Sequence, residues 1–98
     1  MADDPIKKAR EHIRKGTYII RKHAMDRQEE RMIQLADILN VLEHGFHEEK
    51  HSLFDTKYQL WKYAIRGKSL DRDDLRVIIA FPQEMAIITV MRITKKWL

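Results

Sequence analysis

The spacing of apolar residues in the first half of the chain predicts three helices. The first covers 5–15, because Pro5 after Asp4 suits a helix start and Gly16 suits a helix end. A shorter helix over 23–31 has one apolar side, which we expect to face the core and which consists of Ala24, Met25 and Met32. The clearest stripe has helical spacing, ends at Gly45, and consists of Leu35, Ile38, Leu39 and Leu42.

Strand patterns occupy most of the remaining chain. Residues 17–20 are β-prone and too few for a helix, and one more strand is expected within 46–58. Apolar residues alternate over 61–66, whereas 75–81 and 85–93 are apolar on both faces, which is typical of strands inside a sheet. Helices followed by a run of strands predict an α+β fold, with the N-terminal helices packed on one face of an antiparallel sheet of about four strands.

Length and composition limit the classes of function. The chain has 98 residues, 44% of them hydrophobic and 35% charged, which predicts one globular domain over 1–98. The absence of cysteine excludes disulfides and thiolate chemistry. No apolar run is long enough for a membrane span and the N-terminus lacks a signal-peptide core, so we expect a cytoplasmic protein. The net charge of +4 permits a polyanionic partner, although a surplus this small is more commonly just a mildly basic surface.

Three potentially cationic residues lie on one side of the predicted second helix. His23, Arg27 and Arg31 are spaced at i, i+4 and i+8, where like charges repel unless an anion compensates them. One interpretation is a phosphate site with a titratable imidazole at its end. The other is a solvated basic face, with Asp26 and Glu30 as ordinary surface partners.

Arg76 interrupts an otherwise apolar strand. If a two-residue turn joins this strand to the next, Arg76 opposes Met91 and Ile78 opposes Thr89. Arg76 and Thr89 are then diagonal neighbours that could share an anion. The alternative is an Arg at an exposed edge, or one paired with an acid, the candidates being Asp73, Asp74 and Glu84.

The end of the chain is basic and carries an aromatic residue. Lys95, Lys96 and Trp97 form a basic tail over 94–98 that suits single-stranded nucleic acid, although Trp97 could instead cover an edge of the core. The remaining histidines lack the acidic partners of a recognised metal site, so we predict no metal and no cofactor.

From residue 18 to 93 the chain resembles a bacterial family of small domains related to the BrnT and RelE toxins. The resemblance is carried by His23-Ala24, Arg27, Arg31, Ile33, Asp37-Ile38, Leu42, Gly45, Tyr63, Ile65, Gly67, Leu75-Arg76-Val77-Ile78 and Ile88-Thr89-Val90. Those toxins have helices on a curved antiparallel sheet, so the resemblance implies a RelE-like fold over 18–93, with 1–16 as a helical extension. The family commonly has Ser or Thr where Gln34 stands here.

By this resemblance the protein is expected to be a metal-independent endoribonuclease, the toxin of a type II toxin–antitoxin system, with RNA and an antitoxin protein as partners. In such cleavage the 2′-OH attacks the phosphorus, so the site needs a base, an acid and a cation. We expect His23 to transfer the proton, Arg76 to hold the scissile phosphate and Thr89 to donate a hydrogen bond. Arg27 and Arg31 would bind phosphate, and Tyr63 and His51 are candidates for the second proton transfer.

Two other functions remain open at this stage. The same basic face could belong to a non-catalytic module that binds RNA or a protein, which the lack of an obvious second proton-transfer group favours. The domain could also be purely structural, with His23 held in a satisfied hydrogen bond. The sequence does not indicate an oligomeric state.

Overall fold

The computed structural model describes residues 4–93, which form three helices and six strands. The helices are α1 (Pro5–Lys15), α2 (Lys22–Arg31) and α3 (Leu35–His44). The strands are β1 (Tyr18–Ile20), β2 (Phe46–His47), β3 (Leu53–Asp55), β4 (Leu60–Lys68), β5 (Asp74–Ala80) and β6 (Met85–Arg92), with a single 3-10 turn at Glu49–His51.

The strands form one mixed sheet in the order β1-β6-β5-β4-β2, with β3 also paired to β4. The α+β class is therefore confirmed, but the prediction of about four antiparallel strands is wrong in two respects. There are six strands among the described residues, and β1 runs parallel to β6. The sequence predicts the short strand at 17–20 and one strand within 46–58, whereas the latter segment contains two, β2 and β3, each with only two or three residues and so without an alternating pattern.

All three helices contribute to a core on one face of the sheet. Ile6 and Ala9 of α1 are buried there, so the first helix packs into the core. The sheet contributes the residues that share this face: Ile65, Leu75, Val77, Ile79, Ile87 and Val90. We call the opposite side of the sheet, which carries Arg76 and Ile78, the open face.

The buried side of α3 differs slightly from the predicted stripe. Ile38 and Leu42 are fully buried as expected, but Leu35 is 36% exposed and Leu39 is only half-buried. Val41 is buried in their place, because the helix presents the i, i+3, i+4 set that begins at Ile38.

The expectation that the methionines of α2 face the core is wrong. Met25 is 52% exposed and Met32 is 86% exposed, and Ala24 is the buried residue of this helix. The helix lies beside the edge of β6 that β1 leaves unpaired. There the Arg31 guanidinium donates to the carbonyl of Val90, with an Nη1–O distance of 2.7 Å. A helix that covers a strand edge in this way needs only a small residue against the sheet.

The pairing of β5 with β6 contains a β-bulge. Near the turn Ala80 pairs with Ala86, one residue away from the register of a two-residue hairpin. An extra residue, Ile88, then shifts the register, so that Ile78 pairs with Thr89. The turn geometry in the prediction was wrong, and the bulge restores the predicted pairing beyond it. The same bulge removes Ile88 from the core face, where Ile87 stands instead.

Two contacts fix α3 against the sheet. The buried carboxylate of Asp37 accepts from the backbone N–H of Gln34 at 3.0 Å and from that of Leu70 at 2.9 Å, which ties the helix start to the loop after β4. At the other end Gly45 lies so close to β4 that a Cβ placed there would be 2.4 Å from the Arg66 carbonyl oxygen. Only a glycine permits this approach.

Candidate functional site

Arg76 is held by a carboxylate on the open face. Its Nε donates to Glu48 Oε1 at 2.6 Å and its Nη2 donates to Oε2 at 3.3 Å. Arg66 also donates to Glu48 Oε2, at 3.2 Å, and approaches Asp74 at 3.6 Å. The predicted ion pair of Arg76 with an acid is thus present, but Glu48, after β2, is the partner in place of the three candidates near it in sequence.

The electrostatics of this group follow from its geometry. The pKa of Glu48 lies below its ordinary value, chiefly because Arg76 donates hydrogen bonds to the carboxylate. Burial acts in the opposite direction, and the hydrogen bond from Arg66 lowers the pKa further. The Glu48 side chain is 12% exposed and that of Arg76 is 15% exposed. A phosphate could reach Arg76 only by competing with this carboxylate.

Thr89 lies on the same face as Arg76. Arg76 pairs with Met91 and Ile78 pairs with Thr89, which makes Arg76 and Thr89 diagonal neighbours as the sequence predicts. Both side chains are partly buried.

The residues of the basic row on α2 have separate environments. Arg27 binds Glu30 at 2.6 Å, in one of the two surface pairs that the sequence offers. Arg31 is occupied by the Val90 carbonyl. The His23 side chain is exposed and, within residues 4–93, makes no hydrogen bond or ion pair. No contact of the described chain therefore joins His23 to Arg76, and the predicted tail residues Lys95, Lys96 and Trp97 lie outside it.

A row of aromatic rings on the helix side of the sheet starts at the margin of the core, where Tyr63 and Phe81 pack, and continues to the exposed rings of Phe54 and Trp61. We call Phe54, Trp61, Tyr63 and Phe81 the ring cluster. Ring centroids are 5.6 Å apart for Phe54 and Trp61, 6.3 Å for Trp61 and Tyr63, and 6.0 Å for Tyr63 and Phe81. Phe54 is 40% exposed and Trp61 is 49% exposed, so two ring surfaces are available to a ligand.

Helix α1 brings two side chains to one end of the ring cluster. Lys8 Nζ lies 4.4 Å from the centroid of Phe81, within the range of a cation–π contact. The His12 ring lies 5.7 Å from the same phenyl ring, and its Nδ1 is 2.8 Å from the Thr17 hydroxyl oxygen. The N-terminal helix thus places the Lys8 cation beside the partly buried ring of Phe81.

A cavity beside the two middle rings of the cluster, Trp61 and Tyr63, has His47 in its lining. Its lining residues are His47, Glu49, Ser52, Trp61 and Tyr63. Ser52 Oγ donates to the Glu48 carbonyl at 3.1 Å and accepts from Ala64 N–H at 2.9 Å. When the Ser52 hydroxyl donates to the Glu48 carbonyl, the imidazole is the donor in the 2.9 Å contact between His47 Nε2 and Ser52 Oγ.

This hydrogen bond fixes the tautomer of His47. A neutral ring that carries its hydrogen on Nε2 leaves Nδ1 as an acceptor, able to take a proton without breaking the Ser52 contact. The His47 and Tyr63 rings meet edge to face, 5.6 Å apart. The cavity therefore holds an imidazole and a phenol in contact.

The sequence alone does not identify the ring cluster, His47 or Glu48 as parts of a site. Trp61 and Tyr63 were identified as alternating strand residues, and nothing local shows that the helices leave them uncovered. His47 was set aside with the metal candidates, and its relation to Tyr63 depends on the pairing of His47 with Ile65 across β2 and β4. Glu48 was missed because its arginine partners are 18 and 28 residues away.

The described residues show two further absences. No helix within 4–93 has both the length and the apolar character to cross a membrane. No group of three or more potential metal ligands comes together in the same range.

Comparison with known proteins gives one match. No curated protein and no solved structure matches the chain significantly. Residues 20–92 match the model of a protein family. This range begins at the last residue of β1 and includes α2, α3 and the five strands that follow. The chain therefore belongs to the family described as Domain of unknown function (DUF4258).

Proposed function

We propose that the protein binds single-stranded RNA through the ring cluster. The observation that carries this proposal is the exposure of the Phe54 and Trp61 rings in a continuous aromatic row. Exposed aromatic rings on a sheet bind single-stranded nucleic acid because any of the four bases can stack on a ring. The resemblance to BrnT and RelE toxins favours RNA as the nucleic acid.

Charge near the row supports the same proposal. Lys8 and His12 stand beside Phe81, where a strand that stacks on the rings would carry its phosphates. On the open face, the guanidinium groups of Arg66 and Arg76 both bind the Glu48 carboxylate. The ring cluster therefore combines available aromatic surface with nearby positive charge.

The test is fluorescence anisotropy with a labelled RNA of about ten nucleotides, within the usual site size for a small domain. Trp61→Ala should weaken binding about 5–150-fold, the effect of losing about 1–3 kcal/mol of stacking. Phe46→Ala is the matched control, because Phe46 is 58% exposed and pairs with Arg66 on the open face. Wild-type affinity for both Trp61→Ala and Phe54→Ala would exclude the ring cluster as the RNA site.

A second candidate function is cleavage of the bound RNA, which the His47 cavity favours. His47 Nδ1 would take the proton of the 2′-OH, and the new O2′–P bond would form as the P–O5′ bond breaks. The Tyr63 hydroxyl would protonate the departing 5′-oxygen, leaving a 2′,3′-cyclic phosphate and a 5′-hydroxyl. The proton held on His47 would then return to the phenolate of Tyr63. Tyr63 was already a candidate for the second proton transfer, and His47 replaces His51 beside it.

The site first expected from the sequence is the competing location. There His23 transfers the proton, with Arg76, Thr89 and the α2 arginines at the phosphate. Rates of cleavage distinguish the two locations: loss of a general acid or base costs about 10²–10⁴-fold. We expect that loss for His47→Ala with His23→Ala near wild type, and the reverse result would return the proposal to His23.

The RelE-like relationship, the toxin role and the antitoxin partner are proposals of the same kind. They rest on the residues of the resemblance, which span most of the matched range. Expression in growing bacteria, with and without a small reading frame adjacent to the gene, tests them. Growth arrest that the adjacent frame relieves would support the toxin role, and normal growth with a well-folded protein would count against it.

A further inference from the structure

The open face of the sheet is more apolar than a solvated surface requires. Strands β5 and β6 are apolar on both faces, whereas the helices cover only one of them. Ile78, Ile88 and Met91 remain partly accessible on the open face. Leu53 and Tyr58 at its border are 60% and 62% exposed. Strands with two apolar faces are normally buried on both.

A cavity of about 480 Å³ interrupts this face near the β5–β6 turn. Its lining residues are Arg21, Tyr58, Leu60, Lys62, Ala80, Pro82 and Ile88. Ile88 reaches it because the bulge turns this side chain away from the core, and bulges commonly redirect side chains at functional sites. The floor is aliphatic, and two cationic residues stand in the lining.

The charge around the open face is predominantly positive. Its cationic residues are Arg21, Lys62, Arg66, Lys68 and Arg76, and its acidic residues are Glu48, Asp55 and Asp74. The acids pair with four of the cations. The Arg21 side chain makes no hydrogen bond or ion pair within residues 4–93, although its backbone N–H donates to the Ile87 carbonyl. The cation at the cavity is therefore available to an external carboxylate.

We propose that the open face docks an acidic segment of a partner protein, which places an apolar side chain in the cavity and a carboxylate on Arg21. An aliphatic patch with one deep pocket and charges at its margin is the usual anatomy of a protein interface. RNA fits this face less well, because a nucleotide has no aliphatic side chain to fill the apolar cavity. This interaction is independent of RNA binding, since the ring cluster lies on the other side of the sheet.

The experiment is a titration of the isotope-labelled full chain, followed by NMR, with a short blocked peptide of leucine, aspartate and glutamate. Amide shifts should change at Ala80 and Ile88. A peptide in which lysine replaces the acids should cause no such changes. Arg21→Gln should weaken the acidic peptide about 2–5-fold, which is typical of an exposed ion pair. Arg14→Gln removes an equally exposed charge from α1 and should leave the affinity unchanged.

Tyr58→Ala provides a second variant, because Tyr58 is 62% exposed in a turn and its truncation is expected to leave the fold intact. It should weaken the peptide further. Equal binding of the acidic and basic peptides, or no shift changes on the open face with the folded protein, would overturn the proposal. Shift changes at the open face with RNA and none with the acidic peptide would overturn it as well.

Discussion

Replacing Glu48 with Gln tests the ion pairs that organise the open face. The change keeps the size of the side chain and removes its charge, so Arg66 and Arg76 lose their shared anion. Both arginines are mostly buried, with 22% and 15% of their side chains exposed, so water can replace the carboxylate only in part. One further atom, the buried Nε of Arg66, already has no hydrogen-bond partner.

The magnitude follows from these contacts. A hydrogen bond between charged groups contributes about 1.5–3 kcal/mol, and Glu48 has such bonds with two arginines. The amide oxygen of Gln retains part of one, and partial exposure lowers the loss, so we expect Glu48→Gln to cost about 2–4 kcal/mol at pH 7. For a domain of this size that loss lowers Tm by about 10–25 °C.

The contribution of Glu48 to the free energy of unfolding should depend on pH in a defined direction. Because the folded state lowers the pKa of Glu48, its contribution is fully present above the unfolded pKa of about 4.3. The contribution is lost as pH falls through the folded pKa. The difference in free energy of unfolding between wild type and Glu48→Gln should therefore shrink below about pH 4.

Urea unfolding followed by circular dichroism measures both quantities. Glu11→Gln is the control, because Glu11 has a lowered pKa from Lys15 but lies on the exposed side of α1, and its replacement should change stability little. A loss below about 0.5 kcal/mol for Glu48→Gln would refute the reasoning, since such values are typical of surface substitutions. So would a loss that is the same at pH 3 and pH 7.

Three further outcomes are expected. Gly45→Ala should cost about 1–3 kcal/mol in urea unfolding, because its Cβ would overlap two backbone oxygens, and an unchanged stability would contradict that close contact. Leu42→Ala should cost about 2–5 kcal/mol by the same measurement, since the side chain is fully buried, and a smaller loss would mean that α3 packs loosely. In a plot of log RNA affinity against log salt concentration, Lys8→Gln should make the negative slope shallower by about 0.7. Replacing both Arg27 and Arg31 with Gln should leave this slope unchanged. A slope reduced by about 1–2 in the double variant would place RNA on α2.

Local sequence signals predicted the long elements of the fold. Asp4, Pro5 and Gly16 mark both ends of α1 because caps depend on neighbouring backbone atoms. The paired strands β5 and β6 were equally clear. The parallel pairing of β1 with β6 was not, because residues 18–20 and 85–87 are far apart and nothing in three residues indicates the partner. The burial of Leu39 was overestimated for a related reason, since a stripe does not fix the rotation of a helix to within one residue.

The candidate site was less predictable than the fold. The sequence identifies Arg76 as an unusual residue and leaves an acidic partner as one alternative, but choosing Glu48 requires the path of the chain after β2. The ring cluster depends on which part of the sheet the helices leave uncovered. Such a gap is a property of packing, so the alternation of Trp61 and Tyr63 alone suggests only a strand with a core face.

The position of β6 between β1 and β5 also affects how the domain folds during synthesis. Within residues 4–93, β1 pairs with β6 alone, so this edge of the sheet cannot form before Met85–Arg92, the last strand in chain order, is available. During synthesis the helices emerge first, with α2 lacking the strand edge that it covers in the finished protein. The apolar sides of α1 and α3 are then exposed until nearly the whole described chain has left the ribosome. The described domain is therefore expected to complete its fold only after residue 92 has left the ribosome.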